Sequence, residues 1–558
     1  MSLAPWLAWT ILGGTAGLLA LLIPLALHRL VLLRHATREV AGRAIAGHLE
    51  GPESAGPQAG HAAAARESVP AELPRITVQL PLYNEAEVVE RLVAAVGALE
   101  YSRELLEIQI LDDSSDETTA RIEALLPELT RRGIEVSHLR RGTRSGFKAG
   151  ALAEGLRVAR GEFLLILDAD FLPRPGLLHA LLPSFDDPGV GMVQARWDHL
   201  NEGNRLLTRA QALLLDGHFF FEQAGRHAAG RFLNFNGTAG MWRRTALEDA
   251  GGWSADTLTE DLDVSYRAQM AGWRFVYRGD VGVPAELPEG IRALEIQQRR
   301  WAQGGIETGR KLLPSLWRGP WRTGVKSEAT FHLLGHLAHP LTVVLGVLLL
   351  PSALARQSLG LEAWILLDLL VFGAATGSIL LFSFSAARMR RRPWRSALPQ
   401  AVLALVLGVG LTAAVSGAVL RGISGRGRGR DTFHRTPKGG AAGLSRYRTP
   451  RAWGTLLTKC ILAGWMGLSI LAAVTWGFHP TLPFLLLFGA GWGWLAVGQL
   501  LDEIVGPGRR SGAPAPLPAP LPGPASRPPT APSSASPPPR PTRRGELPPV
   551  PGGGVVGA

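Results

Sequence analysis

Acidic residues are sparse in this chain, and several gather in short groups at the ends of apolar runs, where the strand tips of an α/β sheet open into a crevice. Asp168-Ala169-Asp170 closes the wholly apolar run Phe163–Leu167. Two carboxylates two positions apart can hold Mg2+ or Mn2+ while substrate phosphates complete the coordination; a solvated strand end is the plain alternative. Asp112 and Asp113 end the run that begins at Leu106, and can accept hydrogen bonds from a base imide and ribose hydroxyls or form an Asx turn. Pro81-Leu82-Tyr83-Asn84-Glu85 leads from a third run into a helix. The first amides of that helix, with Tyr83 and Asn84, can grip a nucleotide base or phosphate, or simply cap the helix.

Thr259-Glu260-Asp261-Leu262-Asp263 offers a proton acceptor. An inverting sugar transfer needs one carboxylate to take the acceptor hydroxyl's proton as the anomeric carbon is attacked, an assistance worth about 10²–10⁴ in rate. Asp261 is the candidate, with Glu260 and Asp263 in orienting roles; capping of the helix Leu262–Met270 is the alternative. Gln297, Arg300 and Trp301 complete the set. Arg300 can pair bidentately with a diphosphate leaving group. Trp301 offers an apolar face to a pyranose ring and Gln297 an amide to its hydroxyls, although three such residues on an interfacial helix can also be membrane anchors.

Strands alternating with helices must position these groups. Ile76–Leu82, Leu106–Leu111, Val136–Leu139 and Phe163–Leu167 read as strands; Glu85–Leu99, Arg121–Arg132 and Ala149–Ala159 read as helices. That alternation predicts an α/β fold with a mostly parallel, doubly covered sheet over residues 74–310.

Apolar segments flank that region. Pro5–Leu27 is long enough to cross a bilayer of roughly 30 Å. No positive residue precedes it and no small-residue cleavage site follows, so it reads as a span within an N-terminal unit, 1–45, rather than a signal peptide. The basic cluster His28, Arg29, Arg34, Arg38 and Arg43 after it predicts an outward amino terminus and a cytoplasmic domain next. Residues 46–73 read as a linker and 311–334 as an interfacial helix. Spans are expected near 335–355, 361–385, 455–477 and 480–501 within a membrane region 335–505. The loop 421–451 is strongly basic, with Asp431 its one acid, and the tail is also arginine-bearing. Keeping both inside requires 397–420 to be interfacial or re-entrant. Residues 506–558, dominated by Pro, Ala, Ser and Gly, cannot build a core and are expected to be disordered.

The net charge of +12 over 558 residues invites comparison with nucleic-acid binders, but the arginines sit beside apolar segments and suit anionic lipid instead. Cys460 is the one cysteine, which leaves no disulfide and no thiolate metal site. A transporter with a regulatory nucleotide-binding domain is disfavoured by the few polar residues in the spans.

From Thr77 to Ile306 the chain resembles family 2 glycosyltransferases of GT-A (Rossmann-like) fold, above all the cellulose synthase-like enzymes that make β-mannan or glucomannan. The resemblance is carried by Val78–Glu85, Leu111–Ser114, Lys148–Leu152, Asp168–Phe171, Val193–Trp197, Phe235–Gly240, Ala250–Trp253, Thr259–Asp263 and Gln297–Trp301. It implies that Tyr83, Glu85, Asp112, Asp113 and Lys148 contact the nucleotide, that Asp168 and Asp170 take the phosphates and the metal, and that Asp261 is the base. It also implies that Asn236 and Gly237 line the acceptor channel and that Trp301 stacks on the acceptor sugar. Phe433-His434-Arg435-Thr436-Pro437-Lys438 resembles that family's gating loop, departing from the cellulose synthase version at Arg435 and Pro437. The expected activity is a multi-pass plasma-membrane hexosyltransferase that uses UDP-glucose or GDP-mannose to extend a β-glycan, repeatedly and with translocation. The alternative is a glycolipid synthase acting on diacylglycerol or a polyprenyl carrier.

Overall fold

The computed structural model describes residues 3–45, 73–425 and 453–505. At its centre is a seven-stranded sheet in the order β3-β2-β1-β4-β6-β5-β7. The strands are β1 (Ile76–Leu82), β2 (Leu106–Asp112), β3 (Glu135–Arg140), β4 (Phe163–Ile166), β5 (Val190–His199), β6 (Gly240–Arg243) and β7 (Arg274–Ala285). β3, β2, β1 and β4 run parallel, β6 is antiparallel to both its neighbours, and β5 and β7 are parallel. Helices α2 (Val89–Gly97), α3 (Thr118–Arg131) and α4 (Phe147–Val158) make the crossovers of the parallel half.

Both faces of β1 and β2 are covered, so even their alternate polar residues are buried. Thr77 donates to Glu107 at 2.6 Å and the Gln79 amide donates to Gln109 at 2.9 Å, which pairs polar side chains of the two strands. Ile76, Val78, Leu80, Ile108 and Ile110 form the apolar side. Each such buried side chain contributes about 1.5–3 kcal/mol relative to exposure. The first four strands lie where the sequence puts them; β5, β6 and β7 have no counterpart in that reading.

After β5 come α5 (Leu206–Gly217), a π-helical stretch over His218–Gln223, and α6 (Glu260–Met270). Helix α7 (Ile291–Arg318) follows β7 after a short connection and runs unbroken, so the boundary expected at residue 310 falls inside one helix. Preceding the sheet is α1 (Pro5–Ile45); after α7 come α8 (Thr323–Leu334), α9 (Ala338–Leu359), α10 (Ile365–Met389), α11 (Trp394–Ser424), α12 (Trp453–Thr475) and α13 (Leu482–Val505). Among the described residues five helical stretches are long and apolar enough to cross a membrane: Pro5–Arg38, Thr323–Leu359, Trp394–Ser424, Trp453–Thr475 and His479–Ile504.

Helix α11 carries the segment expected to be interfacial or re-entrant. It is unbroken, so a re-entrant hairpin is not what it forms. One side (Ala397, Ala401 and Ala404, then Leu407, Leu411, Val415 and Val419) packs on the sheet-bearing unit through Leu213, Phe221, Leu207, Ile291 and Ile306. Another side (Leu405, Val409, Ala413) packs on Met466, Phe488 and Trp492 of α12 and α13. Its most apolar window is 61% buried, against 11–39% in the other four stretches. The gating-loop candidates Phe433, Arg435, Thr436 and Lys438, with the linker 46–72 and the tail from 506, lie outside the described residues.

Candidate active site

The loops at the carboxyl ends of β1, β2 and β4 meet α6 and α7 around one cleft. It is lined by Tyr83, Glu85, Asp113, Lys148, Asp168, Asp170, Asn236, Gly237, Glu260, Asp261, Gln297, Arg300 and Trp301, among others. Among the described residues the separated groups singled out in the sequence therefore converge, with Asp112 and Asp263 the exceptions.

Lys148 ties the centre together. Gly146 and Phe147 both have left-handed backbone, at φ 71° and 50°, and this tight turn starts α4 with Lys148 facing the cleft. Its Nζ donates to Asp168 Oδ1 at 2.5 Å and to the Gly237 carbonyl at 2.9 Å. Gly237 stands at φ 81°, and a Cβ there would lie 2.9 Å from Asp261 Oδ2 and 3.6 Å from Lys148 Nζ. Only glycine satisfies both the conformation and the approach. Asp168 and Asp261 are thus neighbours of the same ammonium group.

Asp261 sits in the first turn of α6. The Leu262 amide donates to its Oδ1 at 2.8 Å. Burial pushes its carboxyl up to about 7, with Glu260 adding to the rise and Lys148, the Leu262 amide and Arg300 opposing it. Such a group can accept a proton near neutral pH. Asp263, by contrast, is fully buried and paired with Arg267 and Lys311, each at 2.7 Å. Phe235 and Leu233 amides donate to Ser265 and Gln269 of α6, which holds the Asn236-Gly237 loop against the helix.

The nucleotide side differs in detail from expectation. Asp112 does not line the cleft: its side chain is inaccessible and is used by the Ser114 amide at 2.9 Å, Thr119 at 2.7 Å and His138 at 3.1 Å. Although burial raises its pKa, those hydrogen bonds outweigh it and bring the value down to about 2. In this structure Asp112 braces its loop and does not face the cleft. Asp113 reaches the cleft but is gripped by the Arg141 guanidinium, Nε at 2.9 Å and Nη2 closer. Arg144 lies over the Tyr83 ring at 3.2 Å, a placement that no spacing in the sequence signals. Asn236 is likewise engaged, its Oδ1 accepting from Gln223 at 2.6 Å and Asn234 at 2.7 Å, and its Nδ2 meeting His218 at 3.0 Å.

Trp301 and Gln297 reach the cleft from α7, and Trp197 stands beside Trp301 at 6.4 Å between ring centroids. Leu258 donates to Glu307 at 3.0 Å, and Gly304 is pressed on Thr259, where a Cβ would come within 2.5 Å of Cγ2. These ties hold the Leu258-Thr259 entry to α6, and with it the turn that bears Asp261, on α7. The cleft also takes in Asp198, Asn201, Glu286 and Glu289, which sequence reading missed because they lie at and just beyond the ends of β5 and β7.

Asp168 and Asp170 both line the cleft, and Asp170 is only 3% exposed. No group of three or more His, Cys, Asp or Glu side chains suited to a metal occurs among the described residues. A carboxylate pair with oxygen donors alone, needing a ligand's phosphates and water to complete its coordination, is a donor set that fits Mg2+ or Mn2+.

Residues 74–304 match the family model described as glycosyltransferase like family 2. Glucomannan 4-beta-mannosyltransferase 2 of Arabidopsis thaliana is 37% identical over 300 residues, covering 52% of this chain and 56% of that protein. Probable glucomannan 4-beta-mannosyltransferase 7 of Oryza sativa subsp. japonica is 42% identical over 246 residues, 43% of this chain and 42% of that protein. The chain thus spans about half the length of the curated relatives it matches. Among solved structures, a mannosyltransferase from Pyrobaculum calidifontis in complex with GDP-Man and Mn2+ aligns at 21% identity and TM-score 0.43, covering 75% of this chain and 99% of that one. TarS of S. aureus, residues 1–349 with UDP, aligns at 14% identity and TM-score 0.33, over 63% and 92%. The sheet order itself carries the fold.

Proposed function

We propose that this chain is a membrane-embedded, inverting hexosyltransferase of glycosyltransferase family 2, whose model residues 74–304 match, and that it extends a β-glycan from a nucleotide diphosphate sugar. The observation that carries the reading is the meeting of Asp168, Lys148, Asp261, Arg300 and Trp301 in one cleft, with Asp261 poised near neutrality.

The nucleotide lies along Tyr83, Glu85 and Asp113, and the donor diphosphate is held by Lys148 and Arg300. Asp168 and Asp170 would hold a divalent cation, which would neutralise the diphosphate as it leaves. The acceptor sugar stacks on Trp301, with Gln297 and the Asn236-Gly237 loop beside it. Its hydroxyl oxygen attacks the anomeric carbon from the face opposite the diphosphate. The carbon–oxygen bond to phosphate breaks with its electron pair on the leaving group, and the hydroxyl proton passes to Asp261. Inversion at that carbon gives a β-linkage from an α-linked donor.

GDP-mannose and UDP-glucose are the donors to test first, and the mannosyltransferase names of the relatives favour the former. For orientation we take the sheet-bearing unit to be cytoplasmic and α11 to lie along the membrane surface. The latter is supported by its packing on that unit from Ala397 to Val419. Repeated addition and passage of the product through the membrane helices complete the reading. Purified full-length protein should release GDP or UDP from one of these donors and yield a product that stays at the origin on chromatography. No turnover of any donor with glycan or lipid acceptors would refute the reading, and an organic-soluble product would redirect it to a glycolipid. Chelation of divalent cations should abolish turnover and Mn2+ or Mg2+ restore it; activity untouched by a chelator would remove Asp170 from its assigned role.

A further inference from the structure

Helix α7 serves two environments at once. At about 100° per residue, Glu295 and Ala302 share one side, while Gln297, Arg300, Trp301 and Gly304 fall within roughly 60° of the opposite side. The second side lines the cleft and abuts Thr259. The first meets the apolar helices: Ala302 packs with Leu407, Leu411 and Leu495.

On this apolar side lies an ion pair. Lys459 of α12 is 0% exposed and Glu295 1%. The Lys459 ammonium donates to the Glu295 carboxylate and, at 2.5 Å, to Gln499 Oε1 of α13. Gln499 in turn donates to Glu503 at 3.0 Å. Two more bonds tie the other flank of α7 to the end of α11: Arg310 donates to the Gly422 carbonyl at 2.9 Å, and Arg421 to Gln303 at 3.3 Å.

A buried pair is a poor source of net stability, because desolvation offsets the attraction; its best-attested use is to fix register. Apolar side chains at the same positions would hold the helices together yet tolerate a slide of an ångström or so. The geometry points to Lys459 and Glu295 as positioning residues for sugar transfer. The pair sets α7 axially against α12 and α13, and so sets where Arg300 and Trp301 stand in the cleft. Neither residue lines the cleft. The inference rests on the cleft being the transfer site proposed above.

The test compares two double variants of the full-length protein in lipid nanodiscs. Glu295→Leu with Lys459→Met removes both charges at similar volume and strands neither. It should fold and melt near the wild-type temperature and keep its donor KM within about twofold. Its kcat should fall by about tenfold to hundredfold, because a displacement near 1 Å can cost up to about 10² in rate. Glu295→Lys with Lys459→Glu restores a pair and should regain most of the loss, a rescue that a merely space-filling role would not give. Wild-type kcat in the apolar variant overturns the inference, as does a reversed pair no better than the apolar one. Should the wild-type protein itself transfer no sugar, the reading of the cleft fails. Hydrogen exchange over residues 291–318 then decides alone: altered protection in the apolar variant supports the clamp, and unaltered protection overturns it.

Discussion

Asp261 combines two influences that pull against each other: burial and Glu260 favour its neutral form, Lys148 and Arg300 its charge. The base works only when ionised. Its folded-state pKa near 7 therefore predicts that kcat/KM of the donor-free enzyme is flat above that pH and falls as pH drops through it. A rate profile across pH 5–9 checks this, and Asp261→Asn should lower transfer by about 10²–10⁴ while donor binding, followed by calorimetry, persists. Gly237→Ala is a second sensitive point. The left-handed backbone alone costs about 1–3 kcal/mol, and the new methyl meets the Asp261 carboxylate, so both melting temperature and turnover should fall. A variant with wild-type turnover would show that the loop has room to yield. Asp113, Asp168 and Asp170 were legible in the sequence because carboxylates after apolar runs are uncommon, whereas Lys148, Asn236 and Gly237 came only through the family resemblance. Asp112 was misjudged for a reason that was also legible: consecutive residues at a strand end point to opposite sides, so one of the Asp112-Asp113 pair had to turn inward.

At the scale of elements, the parallel half of the sheet announced itself through near-continuous apolar runs. β5, β6 and β7 did not. β6 has four residues, and β5 is offset along β7 by irregularities near Val190 and Ala195, so neither shows a clean period. Helix α7 was divided at residue 310 because 311–334 was read as a separate interfacial helix, although the backbone does not break there. The tie between Gly304 and Thr259 is testable here. Gly304→Val drives a side chain into Thr259 and should displace the base-bearing loop, lowering kcat by about tenfold or more with little change in donor affinity. Steady-state kinetics separate the two. An equal loss of donor binding would mean that the loop governs the nucleotide side as well.

For the whole molecule, the proposed orientation makes a direct prediction. In a Cys460→Ser background, a single cysteine at Glu100, which is exposed on the sheet-bearing unit, should react with a membrane-impermeant maleimide only after permeabilisation. Labelling in intact cells would reverse the assignment. Long apolar helices were readable from length and hydropathy, but the expected span 361–385 is not among the five described stretches long and apolar enough to cross, Trp394–Ser424 is, and their arrangement was not legible. Nothing in the composition of α11 told that it lies between two partners, since an apolar helix reads alike whether lipid or protein surrounds it.

That double cover bears on how the polypeptide matures. Until α11 arrives late in synthesis, Leu207, Ile291 and Ile306 lack the Leu407, Leu411, Val415 and Val419 side chains that cover them. The sheet-bearing unit produced alone, as a soluble fragment for crystallisation or screening, would present that greasy seam to water and clump. Nascent chains stalled before residue 394 should, for the same reason, be the ones that chaperones and proteases find first.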